Sequence, residues 1–216
     1  MSWWQRLTGH GPADADEPAR WVVLDVETSG LDPHRDCLLA IAAIGLRVDW
    51  ATRRLDLRLG DSFEIVLRQD EVATSRENIL LHGIGVQSQR DGVAPAVALR
   101  AFLDWIGSAP LLAFHSGFDE TLIKRHVKQH LRLDLPNPWV DIEHLCAVTH
   151  ERVLARSLDE WMAHFGITCA RRHEAAADTL AECELLLRVW PRVAAQSRRW
   201  RDVQRLADQR RWLGAR

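Results

Sequence analysis

The chain has 216 residues, 47% hydrophobic and 27% charged, with a formal net charge of -2 at pH 7. That balance suits one globular domain of ordinary size and excludes a strongly basic, whole-surface attraction for nucleic acid. No apolar run reaches membrane-spanning length and MSWWQRLTGH lacks the apolar core of a signal peptide, so a cytoplasmic protein without a membrane partner is expected.

In chain order, residues 1–19 form a loose leader rich in Gly, Pro, Asp and Glu, with the Trp3/Trp4 pair tucked onto the domain or meeting a partner. Trp21 to Glu27 is a buried strand, broken by Ser29-Gly30 and Asp32-Pro33. Cys37 to Val48 and Leu55 to Leu67 complete an antiparallel meander, with Gly60-Asp61 as a bend. The character changes near Glu71. Val93 to Trp105 carries Val97, Leu99, Phe102, Leu103 and Ile106 at helical spacing, and Pro110 stops that helix. LLAF at 111–114 is a short buried strand, Phe118 to His130 an amphipathic helix, and PNPWVDI at 136–142 a turn and strand. Ser157 opens a helix whose SLDE matches a capping box with Glu160. A long helix from Glu174 to Val189 ends at Trp190-Pro191.

A meander followed by strand–helix alternation indicates a mixed α/β sheet covered by helices. Residues 20–191 would form the main domain and 192–216 a basic Trp/Arg-rich C-terminal helix, with eight Arg against two Asp from Arg192 onward. In that helix Trp200, Val203, Leu206 and Leu213 share a side. Packing of that side onto the domain is preferred over binding of nucleic-acid backbone. The four cysteines form no Cys-x-x-Cys pair and read as buried reduced thiols.

The first strand poses a problem. Asp25 and Glu27 stand two apart inside WVVLDVET, so both carboxylates point to one face of the sheet. Unpaired charges in a dry interior cost several kcal/mol, roughly, or force protonation. Two further acids stand at suggestive places. Asp119 falls in the first turn of the helix after LLAF, where alone it would complement the helix dipole. His173 and Asp178 are five apart, about 140° around an ideal helix, so His173 fits better just ahead of the helix on a movable loop. Asp178 then points inward among Ala175, Ala176 and Ala177, although the pair in isolation reads equally well as solvated. If the four acids converge, hard divalent cations repay their repulsion, since Mg²⁺ and Mn²⁺ prefer carboxylate oxygens. A pair of ions about 3.5–4 Å apart suits displacement at phosphorus. His173 is then the candidate general base, histidine being suited to moving a proton near neutral pH.

The motifs DVETSGL (25–31), GFD (117–119) and H-x-A-x-x-D (173–178), with LHGI at 81–84 and VDI at 140–142, resemble those of the DEDDh branch of the DnaQ-like 3′–5′ exonucleases. That family includes the proofreading exonuclease subunit of bacterial DNA polymerase III, and the resemblance spans roughly residues 20 to 190. It implies a ribonuclease H-like fold, here a mixed five-stranded sheet of a three-strand meander plus two parallel strands flanked by helices. It implies that Asp25, Glu27, Asp119 and Asp178 hold two Mg²⁺ ions, with Mn²⁺ able to substitute, and that His173 deprotonates the water. Thr28, Ser29, Gly30, Leu31 and His82 would hold the 3′-terminal nucleotide of a single-stranded or frayed DNA or RNA end, releasing nucleoside monophosphates. A DNA polymerase or other replication or repair protein is the implied partner. The family's second motif commonly reads H-N-A-x-F-D, whereas FHSGFD puts Phe114 and His115 at the His-Asn positions. His115 would then donate to neighbouring loops or touch the nucleotide. The competing readings are an RNA-trimming exoribonuclease of the oligoribonuclease or ribonuclease T type, and a non-catalytic nucleic-acid- or polymerase-binding module.

Overall fold

The computed structural model describes residues 17–69 and 76–212. The Trp3/Trp4 pair, Glu71 and Leu213 lie outside the described residues. Five strands, β1 (Arg20–Thr28), β2 (Leu38–Asp49), β3 (Arg54–Val66), β4 (Leu111–Ala113) and β5 (Trp139–Asp141), form one sheet in the order β3-β2-β1-β4-β5. β1, β2 and β3 pair antiparallel, and β4 and β5 run parallel to β1, as expected of the mixed sheet. The helices are α1 (Arg76–His82), α2 (Val86–Asp91), α3 (Pro95–Ile106), α4 (Gly117–Leu131), α5 (Ile142–Thr149), α6 (Leu158–Phe165), α7 (Ala175–Gln196) and α8 (Trp200–Asp208), followed by a 3-10 turn at Gln209–Trp212.

β1 is apolar without interruption at its start because both of its faces are covered. Trp21 and Val23 join Ile44, Leu46, Leu112 and Val140 beneath α5 to α8, while Val22, Leu24 and Val26 join Ile41, Leu111 and Ala113 beneath α3 and α4. The bend expected near Gly60-Asp61 is a bulge: the partner of β2 jumps from Ser62 at Ile44 to Arg58 at Gly45. The Asp61 carboxylate folds back over Gly45, where a Cβ would stand 2.0 Å from its Oδ2. Arg20 donates to both Asp61 oxygens at 2.7 and 2.9 Å and lies 4.5 Å over the Trp105 ring.

Several boundaries depart from the sequence reading. α3 ends at Ile106 through Gly107 in a positive-φ conformation, before Pro110 is reached, and Val97 is exposed while Ala98 takes its place on the buried face. α7 does not stop at Pro191 but runs on to Gln196, because Val189, Trp190, Val193 and Ala194 are all buried on one side. Proline inside a helix costs about 3 kcal/mol, and burial of those four side chains offsets it. Helices α1, α2 and α5 had no signal strong enough to be read. Among the cysteines only Cys146 and Cys183 are buried, Cys37 and Cys169 being partly exposed. No described helix is long and apolar enough to cross a membrane.

The segment after α7 belongs to the same core. Trp200, Val203, Leu206 and Ala207 of α8 are buried with the sheet, and the other side of α8 carries exposed Arg201 and Arg205, the packed reading of this tail. Trp21 is the hub: its ring lies 4.8 Å from Trp200, 5.6 Å from Trp190 and 5.8 Å from Trp50, at tilted or edge-on angles. The Glu17 carboxylate accepts the Trp200 N–H at 2.9 Å, tying the start of the described chain to its end. Trp200→Ala is expected to cost about 3–5 kcal/mol, the range for deleting a buried aromatic side chain. Urea unfolding monitored by far-ultraviolet circular dichroism checks this, and a loss under about 0.5 kcal/mol, as for an ordinary surface change, contradicts the packing.

Candidate active site

The row of β1 side chains that begins with Trp21 and Val23 continues as Asp25 and Glu27, so the two acids emerge on the face covered by α7. Asp178 meets them from the first turn of α7 and is 6% exposed. Asp119 is the third residue of α4, just beyond the C-terminal end of β4, and is 5% exposed. These four carboxylates and His173 line one cleft of about 460 Å³. His173 lies ahead of α7, as its spacing from Asp178 requires, with φ +61° and its N–H donating to Asp178 Oδ2 at 3.0 Å.

Most of the other sequence candidates share this cleft: Thr28, Gly30, Leu31, His82 and His115 all line it. Ser29 does not. Its hydroxyl donates to Asp36 Oδ1 at 3.1 Å and accepts the Cys37 N–H at 2.8 Å, so it braces the turn instead. The same Asp36 carboxylate explains Gly30, where a Cβ would stand 2.6 Å from Asp36 Oδ2. Thr28 donates to the Gly30 carbonyl at 2.5 Å, and Asn78 of α1 donates to the Ser29 carbonyl at 2.6 Å. His82 is buried; its Nδ1 accepts the Ile84 N–H at 3.0 Å, and its Nε2 has no hydrogen-bond partner among the described residues. Burial holds the His82 ring below the usual imidazole range, favouring the neutral form. His115 contributes to the loops through its main chain: its N–H and that of Ser116 donate to the two oxygens of Asp141, each at 3.1 Å.

Asp25 keeps some surface on the cleft, yet its surroundings are packed. Burial first, and then the Asp178 charge, raise it to about 8, with Arg172 pulling the other way. Burial, then Asp25 and Asp178, raise Glu27 to about 9. Asp119 is pushed well above the carboxylate range by burial and by Asp25. An acid the sequence reading missed joins them. Glu182, 2% exposed, stands one helical turn beyond Asp178 on the same face of α7 and is driven up by burial, Asp25 and Asp119. Its carboxylate accepts the Phe114 N–H at 3.1 Å. Its spacing of four from Asp178 was the available signal. Asp141 and Arg172 were also missed: Asp141 N-caps α5 by accepting the Glu143 N–H at 2.9 Å, and Arg172 is ion-paired to both Asp159 and Asp178.

The donor set fits hard divalent cations: it offers carboxylate oxygens whose mutual repulsion is unrelieved except by Arg172. In the present arrangement no group of three or more His, Cys, Asp or Glu side chains among the described residues is drawn together closely enough to hold an ion. Exonucleases of this kind use divalent metals.

These shifts carry a sign for stability. Raised carboxyls mean that the metal-free folded protein keeps protons that the unfolded chain releases, between the ordinary carboxylate range and about 8 to 9. Stability without metal therefore falls as pH rises through that window. Asp25→Asn removes the charge and should raise the unfolding midpoint in chelator at about pH 8.5, by about 2–4 °C for each kcal/mol of relieved repulsion, with little effect near pH 5. Calorimetric scans across that pH range measure it, and a midpoint that rises with pH in the unaltered chain contradicts the assignment.

Residues 22–186 match the model of the exonuclease family RNase_T. The PolC-type DNA polymerase III of Thermotoga petrophila is 26% identical over 172 residues, covering 80% of this chain and 12% of that protein. The subunit epsilon-like protein of DNA polymerase III from Rhodobacter capsulatus is 30% identical over 185 residues, covering 82% of this chain and 24% of its own length. The chain thus spans a minor part of the curated relatives it matches. Among solved structures, exonuclease I superposes with a TM-score of 0.66 at 18% identity, over 88% of this chain and 42% of its own. The zinc-bound complex of E. coli exonuclease I with single-stranded DNA gives 0.66 at 16% identity, over 82% and 43%. At that identity the likeness is one of fold, the ribonuclease H-like sheet with its flanking helices. The family match over residues 22–186, in a chain whose motif acids meet in one cleft, places it plainly: it belongs to the exonuclease family RNase_T, the DnaQ-like 3′–5′ exonucleases.

Proposed function

We propose that the chain removes nucleoside monophosphates one at a time from single-stranded or frayed 3′ ends, DNA foremost, by hydrolysing the terminal phosphodiester. What supports the reading is the convergence of Asp25, Glu27, Asp119, Asp178 and His173 on one cleft, together with the charge imbalance of those acids. The four acids would hold two divalent cations, Mg²⁺ or Mn²⁺, which when bound would supply positive charge at the scissile phosphate and make water more acidic. His173 takes the proton of the attacking water, from a loop position with its ring free of helix constraint. The terminal nucleotide rests on the turn of Thr28 to Leu31. Leu31, 93% exposed, offers an apolar surface for the base, and the unpartnered Nε2 of His82 offers a hydrogen bond. His115 borders the same cleft, within reach of the bound nucleotide.

The curated relatives are named as DNA polymerase III, and a DNA polymerase or another replication or repair protein is the proposed partner. Exonuclease I has been crystallised on single-stranded DNA, which favours an unpaired end as substrate here.

The test is digestion of matched 5′-labelled DNA and RNA oligonucleotides in Mg²⁺ and in Mn²⁺. Expected is a ladder shortening from the 3′ end, with DNA cut faster, lost in chelator and abolished by Asp25→Ala or Asp178→Ala. His173→Ala should slow turnover by about 10²-fold or more, the usual share of a general base. Full activity in purified Asp25→Ala protein sinks the assignment. Faster cutting of RNA selects the exoribonuclease reading, and binding without cutting selects the non-catalytic module.

A further inference from the structure

The carboxylate of Asp178 is heavily engaged by protein donors. Oδ2 accepts the His173 N–H at 3.0 Å, and Oδ1 faces both the Cys169 thiol at 3.4 Å and Nη1 of Arg172. A carboxylate has about four lone-pair sites, of which the His173 N–H and the Cys169 thiol take two, and the Arg172 charge stands beside the rest where an incoming ion would bind. The other end of this arrangement is an exposed acid. Arg172 Nε donates to Asp159 Oδ1 at 2.6 Å, in the first turn of α6. The guanidinium thus bridges a buried acid with 8% side-chain exposure and a solvent-facing one with 62%. Its neighbour His173 is held at φ +61°, a region that a residue with a Cβ visits at a cost. The hydrogen bond from His173 to Asp178 fixes that conformation.

We infer that Arg172 is a latch on the metal centre: it pairs with both Asp178 and Asp159, and transfers wholly to Asp159 when a divalent cation takes the Asp178 oxygen, freeing the 168–174 loop that carries His173. The planar fork of arginine suits this, since it can bond two carboxylates at once and keep one when it gives up the other. Asp159 receives the displaced charge, so the arginine is never left unpaired in the cleft. Arg172 is accordingly a positioning residue that couples cation binding to the mobility of the general base. This rests on the reading of the four acids as a metal centre.

The experiment is calorimetric titration of the full chain with Mn²⁺, without substrate, in four forms: unaltered, Arg172→Lys, Arg172→Gln and Asp159→Asn. Lysine keeps the charge but cannot span both acids. Arg172→Lys and Arg172→Gln should therefore tighten Mn²⁺ binding by about five-fold or more, a typical coupling between sites. Asp159→Asn removes the receiving partner and should weaken binding by a similar factor. A purely structural role for Arg172 moves all three variants toward weaker binding, and that result overturns the latch, as does an affinity unchanged within about two-fold in every variant. If the unaltered chain takes up no Mn²⁺ at all, the metal centre itself fails, and the two outcomes are thereby distinct. Amide hydrogen exchange provides a check that needs no variant. Exchange in residues 168–174 of the unaltered chain should quicken on adding Mn²⁺, and slower or constant exchange there overturns the proposal.

Discussion

The structure depends on the close approach of α7 to the central strand, because that contact both closes the core and gathers the acids. One row of β1 runs Trp21, Val23, Asp25, Glu27, from an aromatic cluster to a carboxylate pair within four residues. α7 lies along the same row and changes character in parallel. Its N-terminal part offers Asp178 and Glu182, and its later turns offer Leu185, Leu186, Val189, Trp190 and Val193. Apolar burial on the later turns thus holds in place a set of charges that would repel one another apart. Ala175 and Ala181 let the helix come near, and Thr179 donates to its own Ala175 carbonyl at 2.7 Å with β2's Ala42 carbonyl at 3.3 Å.

Two acids not read from the sequence as site residues, Glu182 and Asp141, fix the approach of Asp119. The three consecutive N–H groups after β4, of Phe114, His115 and Ser116, are accepted by Glu182, Asp141 and Asp141 in turn. The loop leading into α4 is therefore held by its main chain, and the chemical identity of its side chains is left free. That accounts for the departure from the family's His-Asn pattern. His115 sits at φ +58°, a conformation that Asn and His both enter more readily than most residues with a Cβ. What the position requires is tolerance of that backbone, and histidine supplies it.

The parts legible in the sequence were those governed by short-range repetition. Continuous apolar runs marked β1 and β2, alternation marked β3, helical spacing marked α3 and α4, and Ser157 with Glu160 marked the start of α6, where the capping box is formed in both directions. The acids were legible because a charge inside an apolar strand has few physical explanations. What escaped depended on packing. Pro191 read as a stop, since proline costs a helix its bond whatever surrounds it, and only the burial of Trp190 and Val193 reverses the outcome. Glu182 went unread because an acid on a helix carries no local signal, and only packing against the sheet decides which face of α7 is covered. Ser29 stood inside a recognised motif, but its job is set by Asp36, seven residues away, which no local pattern reveals.

A cleft lined with carboxylates is a poor attractant for a polyanion, and the rim reflects that. Beside the acids stand Leu31 and the half-exposed Leu81, and Phe114 and Phe118 line the interior. Among the described residues lining the cleft Arg172 is the one arginine or lysine, and it is committed to Asp159 and Asp178. On the proposed reading the substrate is therefore held by its bases on apolar surface and by its phosphate through the cations, instead of by a lattice of arginines along the backbone. Stacking on apolar and aromatic side chains tolerates any base, whereas contacts to the base edges would select among them. On that reading the site would trim whatever unpaired 3′ end enters it. On the same reading, selectivity would come from whether the end is unpaired and not from its sequence.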